Sequence, residues 1–332
     1  MIDNSEVRSA LPWIHGKLRL GDEFNLYYLL GNLRLSQYNY WYNFWETKSS
    51  DGSIRPIASP KGDLRIVQER INQKILSNFP RHQNSYGFMG GNCLQSAKQH
   101  LGFRSVLMFD LKHAFSQVTH QMVFDAVFNK HCPREPYLSF FCSRFLADFC
   151  TVGNIKRLHS TFDDPAISLG GILPQGAPTS PRLFELCMRE LDDDLAKFTN
   201  RHEITYTRYA DNLYFSSQEP EFPALVRNII LSMVRSKFPI HKIKLTNHGD
   251  MCRMLGLNIT PYGVTNTRDF KRKLKGALHH LEYTLDHNLV FLHAWSVVRG
   301  LAGFAVPNTL PDKLQDKLIT LNEKAHLLDY GW

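Results

Sequence analysis

Two apolar, β-prone runs in this chain each carry an acidic residue at a strand end. In Val106-Leu107-Met108-Phe109-Asp110-Leu111-Lys112-His113-Ala114-Phe115 an Asp closes a strand that reads as buried, and an aromatic follows at Phe115. In Tyr206-Thr207-Arg208-Tyr209-Ala210-Asp211-Asn212-Leu213-Tyr214-Phe215 the run is broken by Ala-Asp-Asn and resumes at once. That pattern predicts a tight hairpin with a carboxylate held at its tip. Between the two lies a Gly- and Pro-rich block, Gly170-Gly171-Ile172-Leu173-Pro174-Gln175-Gly176-Ala177-Pro178-Thr179-Ser180-Pro181, followed by a helical run over 181–199.

The remaining pattern supplies the frame. Leu26, Leu29, Leu30 and Leu33 recur at helical spacing in an aromatic N-terminal segment that includes Trp13, Tyr28, Tyr40, Trp41, Phe44 and Trp45. Lys48 to Arg55 reads as a strand, a turn at Gly52 and a second strand, with Asp63 as the cap of a helix over 64–78. Residues 120–150 are helical and apolar, and 151–172 read as a strand pair turning at Gly153-Asn154. Phe222 to Phe238 is helical, Ile240 to Leu245 alternates as a strand, and Met254 to Ile259 reads as the strand of a further hairpin. From Asp269 onward the pattern is helical and basic. Asp192-Asp193-Asp194 reads as a solvated helix face, because three adjacent residues cannot share one side of a helix.

Composition narrows the chemistry. The chain has 332 residues, enough for a large core and several subdomains, and a formal charge of +8 that favours a polyanionic partner. Between Leu231 and Lys275 lysines and arginines far outnumber Asp250 and Asp269, which points to a phosphate-tracking stripe. The cysteines at 93, 132, 142, 150, 187 and 252 form no Cys-x-x-Cys pair, so reduced thiols are expected rather than a zinc or disulfide framework. No signal-peptide pattern and no membrane-length apolar run stands in the sequence, and a cytoplasmic protein with no membrane partner is expected.

A carboxylate on a turn is weak evidence alone, since Asp-Asn is an ordinary turn pair. Both Asp contexts together, with the Pro-Gln-Gly block between them, resemble the palm motifs of reverse transcriptases in order and spacing. Ser96-Ala97-Lys98-Gln99-His100 is similar to the Asn-Ala-x-x-His segment of retron-type enzymes, with Ser96 in the Asn position. Met254-Leu255-Gly256 stands where retron enzymes carry Val-Thr-Gly. The chain most resembles small bacterial defence-associated reverse transcriptases, the abortive-infection types among them.

The resemblance implies an α+β right-hand polymerase, with fingers and palm built from antiparallel sheet plus helices and a small helical thumb. The expected division is an aromatic helical extension over 1–46, fingers over 47–105, palm over 106–260 with a fingers insertion at about 116–165, and thumb over 261–332. It implies RNA-directed DNA synthesis from dNTPs on an RNA template, yielding a DNA product, in antiphage defence. A non-coding RNA, a partner protein or a homo-oligomer is the expected company. Two divalent ions, Mg²⁺ with Mn²⁺ as the alternative, would activate the 3′-hydroxyl and neutralise the leaving pyrophosphate.

Site roles follow by position in the motifs. Asp110, Asp211 and the carbonyl of Leu111 would hold the metals. Arg55 would grip the triphosphate, with Lys48 as a second candidate. Phe115 would exclude the ribose 2′-hydroxyl, Gln175 and Gly176 would line the nucleotide pocket, and Lys244, in competition with Lys242, would serve the leaving group. Asn212 departs from the family's usual second Asp; it keeps an acceptor oxygen and loses a charge. It is read as a tuned catalytic position. The competing class is a decayed polymerase fold that only holds RNA or a partner.

Overall fold

The computed structural model describes residues 4–22, 25–26, 28–29, 38–48, 52, 54–88, 90–131, 136–153, 171–248, 251–260, 262–286, 292–306 and 309–326. Its centre is a four-stranded antiparallel sheet in the order β4-β5-β3-β6, with β3 Ser105–Leu111, β4 Thr205–Tyr209, β5 Asn212–Ser217 and β6 Ile240–Thr246. β3 reads as an unbroken apolar run because both of its faces are covered. Leu107, Phe109 and Leu111 join the main core with Leu183, Phe184, Leu186 and Leu191 from the helix Ser180–Arg201 and Val226, Ile230 and Val234 from the helix Ala224–Arg235. Val106 and Met108 face the other way, into a second cluster with Tyr214, Cys252, Met254 and Leu257. β6 is the open edge, and His241, Lys242 and Lys244 lie exposed along it, the kind of charged edge that resists strand pairing with other chains.

A hairpin in the segment expected as fingers pairs β1 Tyr42–Lys48 with β2 Ile54–Pro60, so the expected boundary at 46/47 falls inside β1. The following helix spans Gly62–Lys74 and continues as a 3₁₀ turn at Leu76–Asn78. Asp63 sits in its first turn and does not cap it; Lys61 holds the cap position without a side-chain bond. Gln68, fully buried on this helix, donates to the Phe149 carbonyl (2.7 Å) and the Tyr42 hydroxyl (3.1 Å), tying the fingers to the helix Pro136–Cys150.

The apolar stretch 120–150 is two helices, His120–His131 and Pro136–Cys150. Of the strand pair expected over 151–172, the bridge Val152↔Ile172 is present, and 154–170 lie outside the described residues, as do Leu30 and Leu33. Met254–Ile259 is not one strand. β7 Cys252–Met254 turns through Leu255 (φ 54°) and Gly256 (φ 76°) into β8 Leu257–Thr260, the two-residue hairpin that consecutive positive φ angles produce. β9 Gly263–Asn266 completes this three-stranded sheet, which the expected palm–thumb boundary at 260/261 cuts. In the segment expected as a thumb, the helices Arg268–Asp286, Leu292–Phe304 and Asp312–His326 share a core of Phe270, Leu274, Leu278, Leu281, Trp295, Val298 and Leu321. The first of them turns Arg272, Lys273 and Lys275 outward.

The segment around Ser96 braces the sheet from behind. Asn92 caps the helix Cys93–Lys98 by accepting from the Gln95 N–H at 2.8 Å. Ser96 Oγ lies 3.0 Å from Thr207 Oγ1, while His100 lies with Nδ1 2.7 Å from Ser216 Oγ and Nε2 2.7 Å from Thr207 Oγ1. Burial pushes the His100 pKa from 6.5 down to about 3. Between those values the unfolded chain binds a proton at this residue and the folded chain does not. Stability intact at pH 7 is therefore lost as pH falls below about 6.5, at about 1.4 kcal/mol per pH unit. Urea unfolding at pH 7 and pH 5 should show a smaller acid-side loss in His100→Gln than in wild type; equal losses would refute the assignment.

Candidate active site

The acidic turn is a two-residue connection. Tyr209↔Asn212 is the last pair of β4 and β5, leaving Ala210 and Asp211 as a two-residue loop with Ala210 at φ 54°. A non-glycine residue at positive φ is strained, and the surroundings hold it there. Tyr86 N–H donates to the Arg208 carbonyl (2.7 Å), Arg208 N–H donates to the Asn84 carbonyl (2.7 Å), and Gly87 lies so close that a methyl on it would stand 2.6 Å from Ala210 N. The segment Asn84-Ser85-Tyr86-Gly87 is thus laid along the turn as a brace.

Beneath the turn sits a buried ionic network. Arg208 is fully buried, and all five N–H donors of its guanidinium are used. Two reach Asp192 from Nε (2.9 Å) and Nη2 (2.7 Å), two reach Glu185 from Nη1 and Nη2 (both 2.9 Å), and one reaches the Ala210 carbonyl (2.9 Å). Tyr206 donates its hydroxyl to Asp192 (2.7 Å), and Ser85 donates to Glu185 (2.6 Å). Burial alone would lower the arginine's pKa; Asp192 and Glu185 more than reverse this and hold it charged, while burial and then Asp192 raise that of Tyr206. The expected solvated face at Asp192-Asp193-Asp194 is therefore corrected. Asp192 is fully buried, Asp193 faces His82 at 3.2 Å, and Asp194 is exposed.

The two sequence-predicted carboxylates meet where the sheet ladder ends. Asp110↔Asn212 closes the β3–β5 register, and Leu111 N–H donates to the Asp211 carbonyl at 3.0 Å. Asp211 has its pKa raised, first by burial and also by the charge of Asp110; Arg55 and a hydrogen bond from Asn212 oppose the rise. Asn212 Nδ2 donates to Asp211 Oδ1 at 3.1 Å. The two half-buried carboxylates meet here, and the charge of Asp110 adds to the rise at Asp211, a repulsion that a divalent cation would offset. Among the described residues no group of three His, Cys, Asp or Glu side chains could hold a metal. Two carboxylates and a carbonyl suit Mg²⁺, which keeps waters and takes substrate phosphates as further ligands.

Opposite this pair, the Pro-Gln-Gly block is docked on the fingers. Ala58 N–H donates to the Gln175 carbonyl (2.8 Å), and Ser180 Oγ donates to the Pro174 carbonyl (2.6 Å). Gly176 has φ 117°, and a methyl there would stand 2.8 Å from Ile57 Cγ2, so glycine is required both by its backbone angle and by the close approach of β2. One cavity results. It gathers Arg55, Asp110, Leu111, Phe115, Gln175 and Asp211, all anticipated from sequence, together with Lys112, His113 and His241, which were not. Burial, then the charges of Lys112, His241 and Arg55, lower the pKa of His113.

Phe115 is half-buried, 5.2 Å from the Phe184 ring and 6.1 Å from Phe88, and its other side lines the cavity. Gly176 lines an adjoining pocket that also includes Phe115 and Gln175. Lys48 is not among the cavity's lining residues; it pairs with Ile54 at the exposed end of the fingers hairpin. Neither Lys244, opposite Met108, nor Lys242, opposite Asp110, lines the cavity.

Residues 47–259 match the family described as reverse transcriptase (RNA-dependent DNA polymerase). The chain is 30% identical over 264 residues to the retron Mx162 reverse transcriptase of Myxococcus xanthus, covering 72% of this chain and 52% of that protein. Identity to the retron Mx65 reverse transcriptase of the same organism is 28% over 243 residues, covering 69% and 53%. To the retron Ec86 reverse transcriptase of Escherichia coli it is 24% over 254 residues, covering 75% and 72%. The chain spans about half the length of the first two relatives. Among the described residues no helix is long and apolar enough to cross a membrane.

Proposed function

This chain belongs to the reverse transcriptase family, and on that premise we propose that it is an active RNA-directed DNA polymerase. One observation carries the reading: a single cavity inside the matched segment gathers two carboxylates, an arginine, an aromatic gate and the Gln175 wall. In this reading Asp110, Asp211 and the Leu111 carbonyl hold Mg²⁺, which supplies charge neutralisation at the reacting phosphate when bound. Arg55 binds the incoming triphosphate through its guanidinium fork. Gln175 and Gly176 form the wall against the nucleotide, and Phe115 stands where a ribose 2′-hydroxyl would project. Asn212 keeps Asp211 oriented through its amide, which supports a tuned site over a decayed one.

The same proposal extends to context. The relatives are named as retron reverse transcriptases, and the outward-facing basic residues of the first thumb helix offer a path for phosphates. We place the protein with a dedicated non-coding RNA or a partner protein in bacterial antiphage defence. The test is purification from its native operon at low salt, sequencing of the copurified RNA, and primer extension on that RNA in Mg²⁺ and in Mn²⁺. DNA synthesis that is stronger on the copurified RNA than on arbitrary templates is expected; an inert protein would overturn the reading.

Phe115 gives a sharper expectation. Phe115→Ala should raise ribonucleotide use relative to deoxynucleotide use by about 10-fold or more, because removing a ring opens far more space than one methylene. Steady-state competition between dNTP and rNTP measures the ratio. An unchanged ratio would make the ring core packing alone.

A further inference from the structure

We propose that His241, and not Lys244, donates the proton to the pyrophosphate that leaves during nucleotide addition, a proposal that rests on the polymerase reading above. The placement comes from a break in the sheet. β6 pairs with β3 through Met108↔Lys244 and Asp110↔Lys242, and then the register jumps to Leu111↔Ile240. His241 is the extra residue left without a partner in that ladder. A bulge of this kind re-aims one side chain and leaves its neighbours in regular alternation. Here the re-aimed residue lines the cavity, and the two regular lysines do not.

The surroundings of His241 fit a leaving phosphate. Lining the cavity with it are Asp110 and Asp211, and also Arg55, Lys112 and His113. His241, Lys112 and Arg55 all act electrostatically on His113, which places the four side chains close together at the cavity. An imidazolium presents an N–H donor and can release its proton near neutral pH, which an ordinary ammonium does far less readily. His241 is also solvent-exposed, so water can reload it.

The primer 3′-oxygen, its proton lost to solvent, bonds to the α-phosphorus. The bond from the α-phosphorus to the α,β-bridging oxygen breaks, and that oxygen departs with its electron pair on the β-phosphate. It takes the ring N–H proton of His241, leaving a neutral imidazole that regains a proton from water.

The experiment is single-turnover incorporation in Mg²⁺ by wild type, Asp110→Ala, His241→Gln, Lys242→Ala and Lys244→Ala. Each is given a natural dNTP and two analogues whose β,γ-bridging oxygen is replaced by CF₂ or by CH₂. The CF₂ leaving group is the less basic and needs its proton less. His241→Gln should slow the natural substrate by about 10²-fold, within the usual range for general acid catalysis. Its loss should be largest with CH₂ and smallest with CF₂, a dependence that misfolding or lost binding would not produce. An unaffected His241→Gln, or an equal loss with all three substrates, overturns the proposal. A leaving-group-dependent loss in Lys244→Ala instead assigns the proton to that lysine and likewise overturns it. Wild type that shows no Asp110-dependent incorporation fails before any variant is compared, and that outcome overturns the polymerase reading itself.

Discussion

Asp110→Ala and Asp211→Ala should each lower dNTP incorporation by roughly 10³-fold or more, a loss of about 4 kcal/mol of transition-state stabilisation. Each change removes half of the carboxylate pair on which metal binding depends. The stability effect should run the other way in metal-free protein. Burial and Asp110 raise the Asp211 pKa above 3.8, so the folded state disfavours its charged form. A carboxylate whose folded pKa is raised contributes stability only at low pH, and that contribution is gone once pH passes the raised value. At pH 7 the charged Asp211 is therefore a strain on the fold, and neutralising it should leave the melting temperature unchanged or higher. Function at the expense of stability is the signature of a site rather than of packing. Activity and thermal melts on the same preparations check both halves; a variant that is inactive and also unfolded would not support the assignment.

Arg208→Met should destabilise the protein by about 3–5 kcal/mol, because it strands Glu185 and Asp192 as uncompensated buried charges. The triple variant Arg208→Met, Glu185→Gln, Asp192→Asn should recover most of that loss, since no buried charge is left unpaired. It should not recover activity, because the Ala210 carbonyl loses its donor and the Asp211 turn loses its anchor. Urea unfolding of the single and triple variants measures the first two effects, and primer extension the third. Arg208→Lys is expected to fail as a replacement, since an ammonium cannot supply five donors in a planar fork. A stable, active Arg208→Met would show that the network is incidental to the turn.

The legible parts of this molecule are those where local pattern and chemistry coincide. The β4–β5 turn is visible because the hydrophobic run stops for Ala210-Asp211 and restarts at once, and β3 because its apolar residues are continuous. Arg55, Asp110, Phe115, Gln175 and Asp211 were each identifiable from short motifs, and the fold gathers them around one cavity. The buried network is hidden because Asp192 stands in one run with Asp193 and Asp194, which as a group reads as solvated. Its partner signal lay at heptad spacing, where Glu185 and Asp192 share one helix face, and in the strand alternation that puts Tyr206 and Arg208 on one side. His241 was hidden for a different reason. Regular alternation along Ile240–Thr246 would group it apart from Lys242 and Lys244 but says nothing about a bulge, which depends on how β3 and β6 pair. The turn at Leu255-Gly256 was missed because a leucine at positive φ carries no sequence warning.

The carboxylate pair is expected to be a working polymerase centre. Its most direct test is Mg²⁺-dependent incorporation of labelled dNTP on an RNA template by purified wild type and by the Asp110→Ala, Asp211→Ala double variant prepared identically. Incorporation that appears with wild type, requires the divalent ion and falls to background in the double variant is the predicted result. Equal incorporation by the two proteins, or none by wild type in Mg²⁺ or Mn²⁺, would contradict it.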